Sequence, residues 1–404
     1  MDVIRIALLG YGTVGKGVHQ TIQLQQERLQ TLLGKRVELA GVLVKNINKH
    51  HIEDSSVLLT DNCEELFSLG NIHVVIDAIV GREPGFSYLK RAIQNGTHII
   101  TANKELFAHH GRELKSLADE KGVSIGYEAT VGAGIPIIQT LSKLLQVNKV
   151  KRIQGILNGT SNFILSSMRE KGLSFQEALK EAQEKGYAES DPGNDIEGRD
   201  AYFKALVLSD LAYGKKPEEE HTLLKGITDI TIEQINYFSS LNLRFKHVAE
   251  IVKAPGKISC AVRPVLVSPE HPLYQVEYEQ NAIAVETTIA GRITLQGLGA
   301  GMYPTASAVI EDLVQLENQH SQPVWREDVH LEAEEIEQSL WILPIRLEKQ
   351  LKDKKKILGK LGSKCLIAKN LDEESLELRD HALEVLGGID LPQIQGLQKS
   401  VKIS

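Results

Sequence analysis

The sequence predicts an α/β protein that opens on a doubly wound parallel sheet. Three observations predict it. The first is the apolar run Val3 to Leu9, broken only by Arg5, which leads into the glycine turn Gly10-Tyr11-Gly12-Thr13-Val14-Gly15 and then a long helical stretch. The second is a series of further apolar runs, Val37–Val44, Val74–Val80, His98–Thr101 and Val123–Tyr127. Between them lie helical segments such as Ser87–Asn95 and Gly111–Lys121. Apolar strands alternating with helices imply a parallel sheet covered on both faces. The third is the change of pattern after about residue 135.

Each part of the glycine turn has its own physical reason. Gly10 permits the tight turn, Gly12 leaves the backbone open to a pyrophosphate, and Gly15 lets the helix pack close on the strand. The helix, read from Val14 to Leu33, then offers unpaired N–H groups and the positive end of its dipole to phosphates. Residues 1–135 therefore read as a Rossmann dinucleotide-binding domain. The second strand ends in Lys45-Asn46, with no acid to take the ribose hydroxyls. A cation there suits a 2′-phosphate, so NADP is expected, with NAD also accepted; Lys45 as a solvated loop lysine is the competing reading.

Residues 136–300 read as an α+β domain with its own sheet. Val150–Leu157 is strand-like, and Asn158–Asn162 is turn-like. Ser174–Lys185 and Ile196–Tyr213 are amphipathic helices, while Ile258–Val267 and Ile283–Leu295 are β-rich. Gly297–Pro304 is a glycine-rich break, and the helix Thr305–Leu316 completes the first domain at about 300–320. From about 335 to 404 the chain reads as a separate small α+β extension. There the strand-like runs Trp341–Leu347 and Lys364–Leu371 flank a helical stretch.

Composition excludes several classes. The net charge of -7 argues against a general nucleic-acid binder. The three cysteines, Cys63, Cys260 and Cys365, are odd in number and widely spaced, which fits no disulfide framework or zinc site. No uncharged apolar run is long enough to span a membrane, and the first residues lack a basic signal-peptide region. A cytoplasmic protein is the expectation.

Chemistry concentrates in two places. Asn103 and Lys104 follow a strand, beyond the carboxyl end of a parallel sheet where ligands bind. The second is the charged run from Gly186 to Lys204, which holds Glu189, Asp195, Glu197, Asp200 and Lys204. Asp200 and Lys204 are spaced i, i+4 and share one helix face. A helix cap with a surface ion pair explains Asp195 well but the other groups together poorly. A carbonyl–alcohol interconversion needs an acid/base at the oxygen, groups that orient the substrate, and a dry pocket. A lysine serves as the acid/base when desolvation or a neighbouring cation lowers its pKa, and Lys104 and Lys204 are placed to do this for each other. Carboxylates at Glu189 and Asp200 suit a substrate ammonium.

At this point the chain resembles the homoserine dehydrogenase family, from about Ile4 to Leu316. The motifs that carry the likeness are GYGTVG, TANKELFA, Tyr127–Ile138, Asn158–Leu165, the run from Gly186 to Lys204, and Gly297–Val309. The resemblance implies interconversion of L-homoserine and L-aspartate 4-semialdehyde with NADPH or NADH, on the route to threonine, methionine and isoleucine. It implies that Lys204 exchanges the proton with the substrate oxygen, with Lys104 beside it, and that Glu189 and Asp200 hold the amino group. Thr13, Val14, Gly186 and Glu189 would line the cofactor site, and Gly301 would close on it. The segment from Glu128 resembles the family's sodium loop, with Val131, Ala133 and Ile135 supplying carbonyls; hard oxygen ligands suit such an ion. A glycine-rich turn at the domain junction is the competing reading of that segment. The resemblance gives Asn158–Asn162 no catalytic role. It further implies a homodimer formed by pairing sheets of the central domain.

Many family members end in a regulatory ACT domain, and no full ACT repeat can be traced here. The tail reads as a degenerate ACT-like module, a dimerisation element or a stabilising appendage. Two other functions compete with the leading one. The first is a related dehydrogenase on another amino acid or semialdehyde. Cys63 precedes Glu64 and Glu65, a poor setting for the thiolate that semialdehyde oxidation would need. The second is a nucleotide-sensing regulator without turnover, which would leave Lys104, Glu189, Asp200 and Lys204 surplus.

Overall fold

In the computed structural model the run Val3–Leu9 forms β1, at the centre of a six-stranded sheet. The structure describes residues 3–254, 256–318, 339–348, 350–351, 356–361, 365–369 and 382–387. The first unit continues with α1 (Thr13–Leu24), α2 (Gln26–Leu33), β2 (Arg36–Leu43), β3 (Leu58–Thr60), α3 (Cys63–Phe67), β4 (Val74–Asp77), α4 (Gly85–Gln94), β5 (His98–Thr101), α5 (Lys104–Lys121) and β6 (Ile125–Gly126). The order β3-β2-β1-β4-β5-β6 is parallel throughout. This is the doubly wound arrangement, and its strand order reverses between β1 and β4, where a ligand crevice opens.

Three local differences from the sequence reading have physical causes. The helix expected over Val14–Leu33 is two helices, because Gln25 leaves helical geometry (φ -106, ψ 14) and the Gln26 side chain donates to Val37 O (2.7 Å) on β2. The strand expected to reach Val80 stops at Asp77, whose Oδ1 accepts from Ile79 N in a tight side-chain turn. The helix α5 begins seven residues before the expected Gly111, capped by Asn103.

The second unit contains α6 (Ile137–Leu144), β7 (Val150–Ile156), α7 (Gly159–Lys171), α8 (Phe175–Glu184), α9 (Gly193–Ile196), α10 (Arg199–Tyr213), β8 (Thr222–Leu224), α11 (Ile232–Ser240), β9 (Arg244–Ala254), β10 (Lys257–Val267), β11 (Gln280–Thr287) and β12 (Arg292–Leu298). The turn-like Asn158–Asn162 is the capped start of α7: Asn158 Oδ1 accepts from Ser161 N (2.8 Å). The β-rich stretch Ile283–Leu295 is a hairpin closed near Gly291 (φ 70). Helix α12 (Met302–Asn318) returns to the first unit and lies on α1, where a Cβ on Gly17 would meet Met302 Cγ at 2.7 Å.

The tail supplies β13 (Leu340–Pro344), β14 (Ile357–Leu361), β15 (Cys365–Lys369) and β16 (Leu383–Leu386). These strands continue the central sheet, whose order is β12-β11-β7-β9-β10-β16-β13-β15-β14, with β8 also on β10. The sequence reading made the tail a separate small α+β unit; here β16 pairs with Leu266 and Val267 of β10. Arg263 of β10 carries the junction. It is buried, bonds to Glu384 of β16, lies 3.5 Å from Glu250 and stacks on Trp341. Of the helical stretch expected between β13 and β15, the described residues hold one 3₁₀ turn (Ile345–Leu347) and β14; the remainder of that reading lies outside them.

Candidate active site

The site begins with a chain of side chains at the end of β4. Asp77, fully buried, accepts from Thr101 Oγ1 (2.9 Å), and burial pushes its carboxyl up to about 6. Thr101 Oγ1 in turn accepts from Asn103 N (3.0 Å). The Asn103 side chain caps α5 through Leu106 N (3.0 Å) and donates to Gly81 O (2.6 Å). These bonds decide where α5 starts, and so where Lys104 stands.

The opposite wall is α10. Gly198 opens it in the left-handed region (φ 86), which strains any side chain, and a Cβ there would press on His247 Cε1 at 3.0 Å. Asp200 sits in the first turn, where the helix dipole favours an anion. Its Oδ1 meets Lys104 Nζ at 2.8 Å, and its Oδ2 accepts from Lys204 Nζ at 2.7 Å. Lys204 also donates to Leu157 O (2.7 Å), just past β7. Asn158 donates to Asp200 Oδ2 (2.9 Å) and to Asp195 Oδ1 (2.7 Å). Asp200 and Lys204 are buried, while Lys104 keeps nearly half its side chain exposed, at the mouth of the site.

The electrostatics follow from this bridge. Burial alone would raise the Asp200 carboxyl, but the Lys204 and Lys104 ammoniums overcome it and hold it well below the usual range. The Asp200 charge raises Lys104 against desolvation, with Asp195 and Glu189 adding to it. The expectation that the two lysines depress each other therefore fails for Lys104, because an anion stands between them.

The glycine fingerprint lies at the β1–β4 crevice. Gly10 is left-handed (φ 92), and a Cβ there would strike Ala78 O at 2.8 Å; a Cβ on Gly15 would strike Gly10 O at 2.2 Å. A Cβ on Gly12 would meet nothing within 4 Å. The first turn of α1 has neither a capping side chain nor an acid, so its N–H groups, with exposed Thr13 and half-buried Val14, suit a phosphate. Gly10 N donates to Leu43 O (2.9 Å), which brings the end of β2, and exposed Lys45 beyond it, next to the fingerprint. Gly186 (φ 76) and exposed Glu189 lie in the loop after α8, pinned to α7 by Thr160 Oγ1 donating to Tyr187 O (2.6 Å). Gly301 (φ 120) precedes α12 beside α1.

The Glu128 segment turns sharply through Gly132 (φ 72) and Ala133 (φ 48), and Val131, Ala133 and Ile135 are buried. Glu128 accepts from Ile138 N (2.7 Å) and Gln139 N (2.9 Å), and burial pushes its carboxyl up to about 7. Asp312 accepts from Glu128 N (2.8 Å). Among the described residues neither of these buried carboxylates forms an ion pair, which is a setting that suits a small cation.

Sequence reasoning missed Asn158. Its signal was a strand end followed by Asn with Ser three residues on, a helix N-cap pattern that also reads as a turn.

The fold is that of a nicotinamide-dependent dehydrogenase with a second domain built on its own mixed sheet. The comparisons agree. Residues 10–128 match the family described as "Homoserine dehydrogenase, NAD binding domain", and residues 136–314 match "Homoserine dehydrogenase". A homoserine dehydrogenase from Bacillus subtilis is 39% identical over 315 residues, 78% of this chain and 73% of its own length. One from Neisseria gonorrhoeae is 35% identical over 384 residues, 93% and 88% of the two chains. The crystal structure of a homoserine dehydrogenase from Thiobacillus denitrificans superposes with a TM-score of 0.85 at 30% identity, covering 95% of this chain and 98% of its own. A hyperthermophilic archaeal homoserine dehydrogenase in complex with NADPH gives 0.68 at 28% identity, over 79% and 99% of the chains. The chain belongs to the homoserine dehydrogenase family.

Proposed function

We propose that the protein interconverts L-homoserine and L-aspartate 4-semialdehyde with a nicotinamide cofactor, on the biosynthetic route to threonine, methionine and isoleucine. The observation that carries this reading is the bridge Lys104–Asp200–Lys204 between the two sheets. When bound, the cofactor supplies the hydride chemistry. Gly10, Gly12, Thr13, Val14 and Gly15 would hold its pyrophosphate side, with Gly186, Glu189 and Gly301 around the nicotinamide side. Lys204 Nζ moves a proton to or from the substrate oxygen, and Asp200 and Leu157 O fix that nitrogen's direction. Lys104, at the mouth of the site, contacts cofactor and substrate. Asp200 and Glu189 give a substrate ammonium two carboxylates, and Asn158 keeps Asp200 aligned.

Three finer features belong to the same reading. Lys45 favours the 2′-phosphate of NADP. Sodium would sit at Glu128 with the carbonyls of Val131, Ala133 and Ile135, supported by two buried carboxyls, Glu128 and Asp312, that form no ion pair among the described residues. The enzyme works as a cytoplasmic homodimer, supported by the open edge that β12, with its exposed Leu298, presents. Among the described residues no helix is long and apolar enough to cross a membrane. The test is the rise in reduced-nicotinamide absorbance with L-homoserine and NADP. Turnover with homoserine supports the reading; signal only with another amino alcohol would favour a related dehydrogenase, and none with any would favour a sensor.

A further inference from the structure

Asn281 of β11 is fully buried, and neither Oδ1 nor Nδ2 of its carboxamide has a hydrogen-bond partner. Buried amides are nearly always paired, so one left open at both ends marks a place where a partner arrives. The carboxamide lies flat on Gly299: a Cβ there would fall 2.0 Å from Asn281 Cγ and 2.1 Å from Nδ2. Gly299 belongs to the turn between β12 and α12, which also contains Gly301.

That turn links both halves of the cleft. At its start Gly297 is the ladder partner of Asn281. At its end Met302 packs on Gly17 of α1, behind the fingerprint. The neighbour of Asn281, Ala282, pairs with Ile156, so the same strand flanks the end of β7 that leads to Leu157 and Asn158. Asn281 thus stands beside the turn that leads from β12 into α12, the helix that packs on α1.

We propose that Asn281 is a positioning residue for the nicotinamide cofactor: its carboxamide gains its missing hydrogen bonds from the backbone of residues 299–301 when that turn settles around the bound dinucleotide. The proposal rests on the reading of the cleft as a cofactor site. An amide that merely filled the core would act alike with and without cofactor; this one acts only in its presence.

The experiment compares wild type with Asn281→Leu, which keeps the branched shape and loses the hydrogen bonds, and with Asn281→Ala in case the larger leucine does not fit. NADPH Kd is read from its fluorescence, and Tm is read with and without NADPH. The proposal expects Asn281→Leu to melt at or above the wild-type temperature without cofactor, to bind NADPH about tenfold or more weakly, and to lose most of the NADPH-induced rise in Tm. Asn281→Ala should show the same loss of affinity. Unchanged Kd in the folded variants overturns the proposal. Failure of the wild type itself to bind NADPH would overturn the cofactor reading instead.

Discussion

Lys104, at the start of a helix in the dinucleotide-binding unit, meets Asp200, at the start of a helix in the central unit, at 2.8 Å. The contact joins a helix of each unit, whose residues Phe107, Ala108, Ala201 and Ala205 share one core, and it places a partly exposed ammonium over a buried carboxylate. Because Lys204 bonds to the other oxygen of Asp200, any change at Asp200 releases both lysines at once.

Asp200→Asn therefore tests the bridge. The variant should lose about 10²-fold or more in kcat/KM and roughly 3 kcal/mol of stability, since a buried ion pair is broken on one side. The pH dependence has a defined sign. The folded carboxyl is depressed, so its contribution is present above the unfolded value near ~4 and is lost as pH falls through the folded one. Urea unfolding of both proteins from pH 8 to pH 3 should give a constant gap that closes only in acid. A gap that widens below pH 4 would contradict this.

Lys45→Ala addresses cofactor choice. A charge-assisted bond to a phosphate contributes about 1.5 kcal/mol, so the ratio of kcat/KM for NADP over NAD should fall about tenfold. An unchanged ratio would return Lys45 to the status of a solvated loop lysine.

Much of this was legible in the sequence. The β1–glycine–α1 unit was, because each glycine has a separate local reason that needs no tertiary knowledge. The parallel strands were legible as apolar runs. Asn158 was not, since an N-cap and a turn use the same residues and only its contact with Asp200 separates them. The break at Gln25 carries no glycine or proline to announce it. The union of the tail with the central sheet was also illegible, because it rests on pairing of two residues of β16 and on Arg263, far apart in the chain.

That junction gives a third prediction. Glu384→Ala leaves the buried Arg263 with only the more distant Glu250, and should cost about 2 kcal/mol. Thermal melting should show the drop, with the KM for homoserine unchanged. A shifted KM at unchanged Tm would mean that the tail acts on the site rather than on the fold.

Sodium gives a fourth. Replacing sodium with N-methylglucamine at constant ionic strength should lower Tm by several degrees, through loss of a cation beside Glu128 and Asp312. Identical melting in the two salts would leave the Glu128 segment as a structural turn.

The most direct test is the turnover of Lys204→Ala in homoserine oxidation, measured at saturating NADP below the variant's melting range, on protein whose NADPH binding matches wild type. A fall in kcat of about 10³-fold or more is the predicted result, because the buried nitrogen proposed to move the proton is gone while the cofactor site remains. Turnover within a fewfold of wild type would contradict the account.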